Sequence, residues 1–270
     1  MNRELKTFRK LIPHFSVVSL VDYWRDDTKD KNYLAMTYAP CGTLKSLIDR
    51  APDHKIPLPQ ARRLFLCIVQ GLSHLHHQGI YHRDLKTDNF MLLSEYSLCI
   101  TDFGTATFDP STEGIGAPAF QPPEVALTGR APSSAKLDIW AAGITLFVMV
   151  TGTYPFDDSG TVYQLFEDIG RCDIAFPDDL PEDLLELLKG MLKPDPEMRW
   201  SLEEIARAEW VTKKEECLLP VPALKIRTVF TSEYVQQLVN PDGVHLKGDS
   251  GDDSKLLDGS SEKNKCCIIL

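Results

Sequence analysis

The chain of 270 residues is 43% hydrophobic and 25% charged, enough apolar material for one sizeable core or two small lobes. Its formal net charge of -10 argues against the basic face of a nucleic-acid binder and favours basic partners instead. Cys41, Cys67, Cys99, Cys172, Cys217, Cys266 and Cys267 form no CxxC pair, so they fit reduced cytosolic thiols better than a disulfide framework or a zinc site.

In chain order, "MNRELKTFRK" is charged throughout and does not read as a signal peptide. The runs "FSVVSLVDYW" and "NYLAMTY" are β-rich and flank the polar turn "RDDTKDKN", which predicts an antiparallel strand pair. "PCGTLKSLID" then turns into a short helix. Between Pro59 and His77, apolar residues recur at Ala61, Phe65, Ile68, Leu72 and Leu75, and Gly79 follows, which predicts an amphipathic helix. In that helix His74, His76 and His77 are expected to pack rather than hold a metal. "FMLL" and "SLCIT" predict a hairpin about "SEYS", and from Pro122 onward the pattern is helical and proline-punctuated. The longest apolar run, "IWAAGITLFVMV", is shorter than the roughly 20 residues that cross a bilayer and reads as a helix buried on every side. Strands come first and helices after, so an α+β fold is expected, a small sheet-bearing lobe joined to a larger helical one.

The stretch "HRDLKTDN", residues 82 to 89, falls in the loop between the long helix and the hairpin, and "TDFG" follows the hairpin's second strand. Phosphoryl transfer needs a carboxylate to orient the attacking hydroxyl, hard oxygen ligands for magnesium, and a cation beside the phosphate. Asp84 suits the first role, Asn89 and Asp102 the second, and Lys86 the third; Gly104 lets the chain turn behind its ligand.

"HRDLKTDN", "TDFG", "PPE" and "DIWAAGITLF", in that order, resemble the eukaryotic protein kinase catalytic domain, and the lysine of the first motif resembles the serine/threonine branch. That resemblance implies ATP and Mg2+ as cofactors and other proteins as substrates. It places Met36 at the gatekeeper, with Thr37, Tyr38 and Ala39 in the hinge that meets adenine, and Glu4 at the regulatory ion pair. It also implies that His82 and Phe103 pack between the lobes, that Asp138 braces the backbone around Arg83, and that Glu124 pairs with Arg199. "GAPAFQPPE", "TGTYPF", "YQLFEDIG" and "LLKGML" further resemble the liver-kinase-B type of tumour-suppressor kinase. The type implies substrates among the activation loops of AMP-activated-protein-kinase-like enzymes, with a STRAD-type pseudokinase and an armadillo-like scaffold as partners.

The chain departs from the family pattern at identifiable places. Ala117 stands where relatives carry Ser or Thr, so hydrogen bonding to the catalytic Asp must come from elsewhere. "DFG" replaces a motif with leucine at its centre in the liver-kinase-B type. No glycine-rich phosphate loop and no "VAIK"-like lysine precede "HRDLKTDN", so we expect a chain that begins inside the small lobe, as a truncated kinase would, and that binds MgATP weakly. Residues 1–38 read as the remnant of that lobe, 39–225 as the large lobe with catalytic loop and activation segment, and 226–270 as a flexible acidic tail. Ser111 and Thr112 read as ordinary loop hydroxyls.

The tail ends "CCIIL", the form of a CaaX box, whose terminal leucine predicts geranylgeranyl on Cys267, with Cys266 taking a palmitate as the second membrane signal. A cytoplasmic location with recruitment to membranes is expected, the nucleus staying open as well. Two functions remain in view: an enzyme phosphorylating Ser or Thr, and a catalytically weak, membrane-anchored binding module.

Overall fold

The computed structural model describes residues 3–29, 31–110, 112–113, 116–157, 159–213 and 265–269. Ser111, Leu270 of the CaaX box and the acidic tail up to Asn264 lie outside the described residues. Helix α1 (Arg3–Lys10) carries Glu4 in its first turn and Arg9 and Lys10 in its last, charges that complement the helix dipole, and it buries Leu5 and Phe8. Strands β1 (Leu20–Asp26) and β2 (Lys31–Met36) form the expected antiparallel pair, with Trp24 opposite Tyr33 and their rings stacked 5.3 Å apart.

The first strand starts later than its composition suggests. Residues 16–18 bond elsewhere: the Ile100 N–H donates to the Ser16 carbonyl at 2.9 Å, and the Val18 N–H to the Ile100 carbonyl at 2.9 Å. Buried Val17 and Val18 therefore join the small sheet to the hairpin beneath it instead of lengthening β1.

Helix α2 (Leu44–Arg50) opens on a Thr43 capping box. Helix α3 (Leu58–His77) follows, and Gly79 at φ 65° continues the chain beyond it. Gly71 allows α3 to meet the hairpin closely, because a Cβ there would lie 2.8 Å from both Ile100 Cδ1 and the Ser16 carbonyl. The hairpin pairs β3 (Phe90–Ser94) with β4 (Ser97–Ile100) in the register Phe90 to Ile100. A two-residue ladder, β5 (Thr112–Glu113), meets β6 (Arg130–Ala131) across α4 (Pro123–Thr128).

Helix α5 (Ser134–Thr151) is capped by Ser133 and stopped by Gly152, and its apolar length is buried all round, as its sequence predicts. Helices α6 (Val162–Arg171), α7 (Glu182–Met191), α8 (Leu202–Arg207) and α9 (Glu209–Thr212) complete the helical part. One core, including Phe65, Phe90, Phe103, Trp140 and Trp210, runs from α3 through the hairpin to α5. Leaving polar residues in its flanking loops, this packing fixes the loop after α3 between two rigid elements. The tail contributes one described element, β7 (Lys265–Ile269), parallel to β2 and in register from Asn32 opposite Lys265 to Met36 opposite Ile269. The apolar run at the chain's end takes the open edge of β2, which composition alone did not suggest.

Candidate active site

Asp138, on the buried helix α5, is fully buried and organises the loop after α3. Its Oδ2 accepts the His82 N–H at 2.9 Å, and its Oδ1 accepts the Arg83 N–H at 2.7 Å. His76 Nε2 lies 2.9 Å from the same Oδ2, a contact its position within "HLHH" did not announce. Arg83 stands in the left-handed region at φ 68°, held there by Asp138 on its amide and by the Thr105 carbonyl, which accepts from its Nε at 2.8 Å. The His82 ring reaches the Thr101 carbonyl at 2.8 Å and packs 5.5 Å from the Phe103 ring. Phe103 in turn meets Phe8 of α1 edge-on at 5.3 Å, so α1 is seated on the "DFG" turn.

From this frame Asp84 projects with a side chain 13% exposed. Its Oδ1 accepts the Ala117 N–H at 2.8 Å; its Oδ2 lies 3.4 Å from Lys86 Nζ and 3.5 Å from Asn89 Nδ2. Asn89 Nδ2 also donates to the Asp84 carbonyl at 2.7 Å, which fixes which way the amide faces. With its nitrogen committed, Asn89 Oδ1 accepts no hydrogen bond among the described residues. The donor that meets Asp84 at Ala117 is thus a backbone amide.

The β3–β4 register brings Asp102 to the same end of the hairpin as Asn89. The Thr101 N–H donates to the Asn89 carbonyl at 3.0 Å, and Asp102 is the next residue. Asp102 is exposed and left-handed at φ 65°, with Oδ1 accepting from the Gly104 N–H at 3.2 Å. Two residues with oxygen donors, an amide and a carboxylate, therefore stand at the same end of the hairpin. That set fits Mg2+, which takes one or two protein oxygens and completes its octahedron with water and phosphate oxygens. Among the described residues no cluster of three His, Cys, Asp or Glu side chains offers a metal an all-protein cage.

Met36 is buried at the end of β2, followed by half-buried Thr37, exposed Tyr38 and buried Ala39. The Thr37 N–H is taken by the Ser19 carbonyl at 3.0 Å, whereas the Thr37 carbonyl and the Ala39 N–H enter no backbone hydrogen bond among the described residues. A cavity of about 620 Å³ lies behind this hinge, lined among others by His14, Val18, Thr37, Leu66 and Cys99. Asp84, Asn89 and Asp102 are not on its walls, so it is separate from the catalytic cluster. Glu4 is buried at 2% exposure. At the far side of the helical part, Arg199 donates both terminal nitrogens to the Glu124 carboxylate, at 2.9 and 2.8 Å, and its guanidinium lies 4.9 Å from the Trp140 ring. Cys266 and Cys267 fall in β7, opposite Tyr33 and Leu34.

A braced loop carrying Asp, Lys and Asn, closed by an Asp from the neighbouring hairpin, defines a protein kinase domain, and the chain belongs to that family: residues 1–211 match it. The likeness is of the liver-kinase-B type. The chain is 38% identical over 232 residues to serine/threonine-protein kinase STK11 of Gallus gallus, covering 82% of this chain and 52% of the relative. Against STK11 of Rattus norvegicus it is 35% identical over 273 residues, 96% of this chain and 61% of the relative. CBL-interacting protein kinase 26 of Oryza sativa subsp. japonica is 33% identical over 223 residues, 80% of this chain and 44% of that kinase. The chain spans about half the length of the curated relatives it matches. Protein kinases as a family use ATP and Mg2+.

Proposed function

We propose that this chain is a serine/threonine protein kinase that transfers the γ-phosphate of ATP to hydroxyls of protein substrates. The observation that carries the proposal is the cluster itself: Asp84, Lys86 and Asn89 touch one another, and the hairpin register sets Asp102 beside them. In the mechanism we infer, Asp84 orients the substrate hydroxyl and takes its proton as the new O–P bond forms and the bond to the departing nucleotide oxygen breaks. Lys86, 3.4 Å from that carboxylate, supplies positive charge where the transferring phosphate passes. Asn89 and Asp102 are the residues that would hold Mg2+, which when bound would neutralise the phosphate oxygens. The Thr37 carbonyl and the Ala39 N–H are the backbone groups left for adenine, beside Met36. Glu4, buried on the helix that seats Phe103, is assigned to the regulatory ion pair.

On the likeness to STK11, we assign the substrates to activation loops of AMP-activated-protein-kinase-like kinases, and the partners to a STRAD-type pseudokinase and an armadillo-like scaffold. We also assign geranylgeranyl to Cys267 and palmitate to Cys266, giving a cytoplasmic protein drawn to membranes. Intact-mass analysis from a eukaryotic host tests the lipid: an unmodified chain still ending in Leu270 refutes it. The test of the enzyme is phosphate transfer from MgATP to a threonine peptide by the purified 270-residue chain. Asp84→Asn is expected to lower the rate by roughly 10² to 10⁴-fold, and equal rates for the two proteins refute the assignment.

A second reading is a catalytically weak binding module anchored at a membrane, and one feature favours its catalytic weakness. Strand β7 lies along β2, the strand that leads into the hinge. A chain lacking 265–270 that binds ATP no better than the full chain removes that support.

A further inference from the structure

We propose that Gly116 and Ala117 are positioning residues for Asp84: the Ala117 N–H, aimed by the positive φ of Gly116, orients the carboxylate that meets the substrate. The proposal rests on the kinase reading above and names the device that replaces a side-chain hydroxyl in it. Of the donors around the Asp84 carboxylate, the Ala117 amide is the nearest, at 2.8 Å to Oδ1. Lys86 and Asn89 face Oδ2 at 3.4 and 3.5 Å, beyond the usual range of N–H to O hydrogen bonds. The methyl side chain of Ala117 donates nothing, so what this residue offers Oδ1 is its backbone proton.

The direction of that proton depends on Gly116. Its φ of 119° is a conformation that side-chain-bearing residues rarely adopt. Space excludes a side chain as well. A Cβ at Gly116 would lie 2.6 Å from the Arg83 carbonyl, 3.0 Å from Asp84 Oδ1 and 3.0 Å from Gln121 Nε2. The backbone thus passes in contact over the catalytic loop, which only glycine permits. The segment is held on both sides of the contact: β5 pairs with β6 just before it, and after it the turn Pro118–Phe120 leads into α4, fastened by Glu124 to Arg199. Asp84 is therefore aimed by a segment whose own placement is set elsewhere in the fold. Anything that moves residues 116 and 117 takes the donor away from the carboxylate.

The substitution Ala117→Pro removes this proton and sets the ring Cδ against Asp84 Oδ1 in its place, at an Ala117 φ of -68° that proline adopts. Ala117→Gly keeps the N–H without adding a side-chain donor and serves as the rescue. In the full chain, the Ala117 amide is expected to exchange with solvent about ten-fold faster in Asp84→Ala than in the wild type, as the loss of one hydrogen bond predicts. Ala117→Pro and Gly116→Ala are each expected to lower kcat by about 10²-fold with KM for ATP little changed, because the base is misaligned while the nucleotide site is untouched. Ala117→Gly is expected to exceed Ala117→Pro in kcat by about ten-fold or more. Equal exchange of the Ala117 amide in wild type and Asp84→Ala, or wild-type kcat in Ala117→Pro, overturns the proposal. A wild-type chain that transfers no phosphate refutes the kinase reading, and the exchange experiment still decides whether the contact exists.

Discussion

Removing the Asp138 carboxylate should cost stability and loop geometry together, and the structure sets the size of the effect. The side chain is fully buried and serves three partners: the amides of His82 and Arg83 and the ring of His76. In Asp138→Ala both amides lose their acceptor in a place water does not reach. A buried donor left without a partner costs about 1–3 kcal/mol, so two amount to about 2–6 kcal/mol, a large share of the 5–15 kcal/mol typical of a whole domain. Asp138→Asn keeps the volume and one acceptor oxygen but turns an NH2 toward the second amide, so its cost is that of one donor, about 1–3 kcal/mol. The left-handed Arg83, which the Asp138 contact helps to hold, should relax in both variants and carry Asp84 with it. Urea unfolding of the full chain measures the first effect and peptide phosphorylation the second. If both variants unfold within about 0.5 kcal/mol of the wild type, the assignment of Asp138 as the loop's brace is wrong.

Arg199→Met leaves the Glu124 carboxylate without its bidentate partner in a site where the acid is only 11% exposed, and should destabilise by about 3–5 kcal/mol in the same assay. A loss below about 1 kcal/mol would show that the pair fastens nothing. Burial, and secondly the charge of His74, hold His14 below the ordinary imidazole range, and its Nδ1 accepts the Ser16 N–H at 3.2 Å, which requires the neutral ring. The folded chain then binds fewer protons here than the unfolded one. This contribution to stability is complete above about pH 6.5 and shrinks as pH falls from there toward the lowered native value. His14→Gln should flatten the fall in stability between about pH 7 and pH 5, and an unchanged slope contradicts the assignment. Burial pushes the Cys99 thiol up to about 12 and Cys67 in the same direction, while Cys41 is exposed. Iodoacetamide at about pH 8 should therefore modify Cys41 well before either buried thiol, as peptide mass mapping reads it, and equal rates would contradict the packing around α3 and β4.

Much of the architecture was legible because it is local. The apolar spacing of α3, the all-round apolarity of α5 and the turn chemistry of the β3–β4 hairpin each follow from a few neighbouring residues. Phe15 to Val18 misled for the opposite reason. Their β-forming side chains satisfy strand propensity, but Ser16 and Val18 find their backbone partner in Ile100, far along the chain. The sequence "HLHH" predicts packing for His76 and gives no sign that a carboxylate from α5 arrives at its ring. The strand at the C-terminus was missed because its partner edge belongs to β2.

The amino-acid order by itself determined which groups could do chemistry: an acid, a lysine and an amide at fixed spacing, a second acid behind an apolar strand, and an alanine with no side-chain donor. It could do so because side-chain type fixes what an atom donates, accepts or ligates. Only the tertiary structure decided which of those atoms meet. Asp102 comes beside Asn89 through strand register, the loop is braced by a carboxylate from α5, and the amide of Ala117 reaches Asp84 over a glycine. These contacts join parts of the chain a dozen residues apart or more, and hydrogen bonds act over about 3 Å of space whatever the distance in sequence.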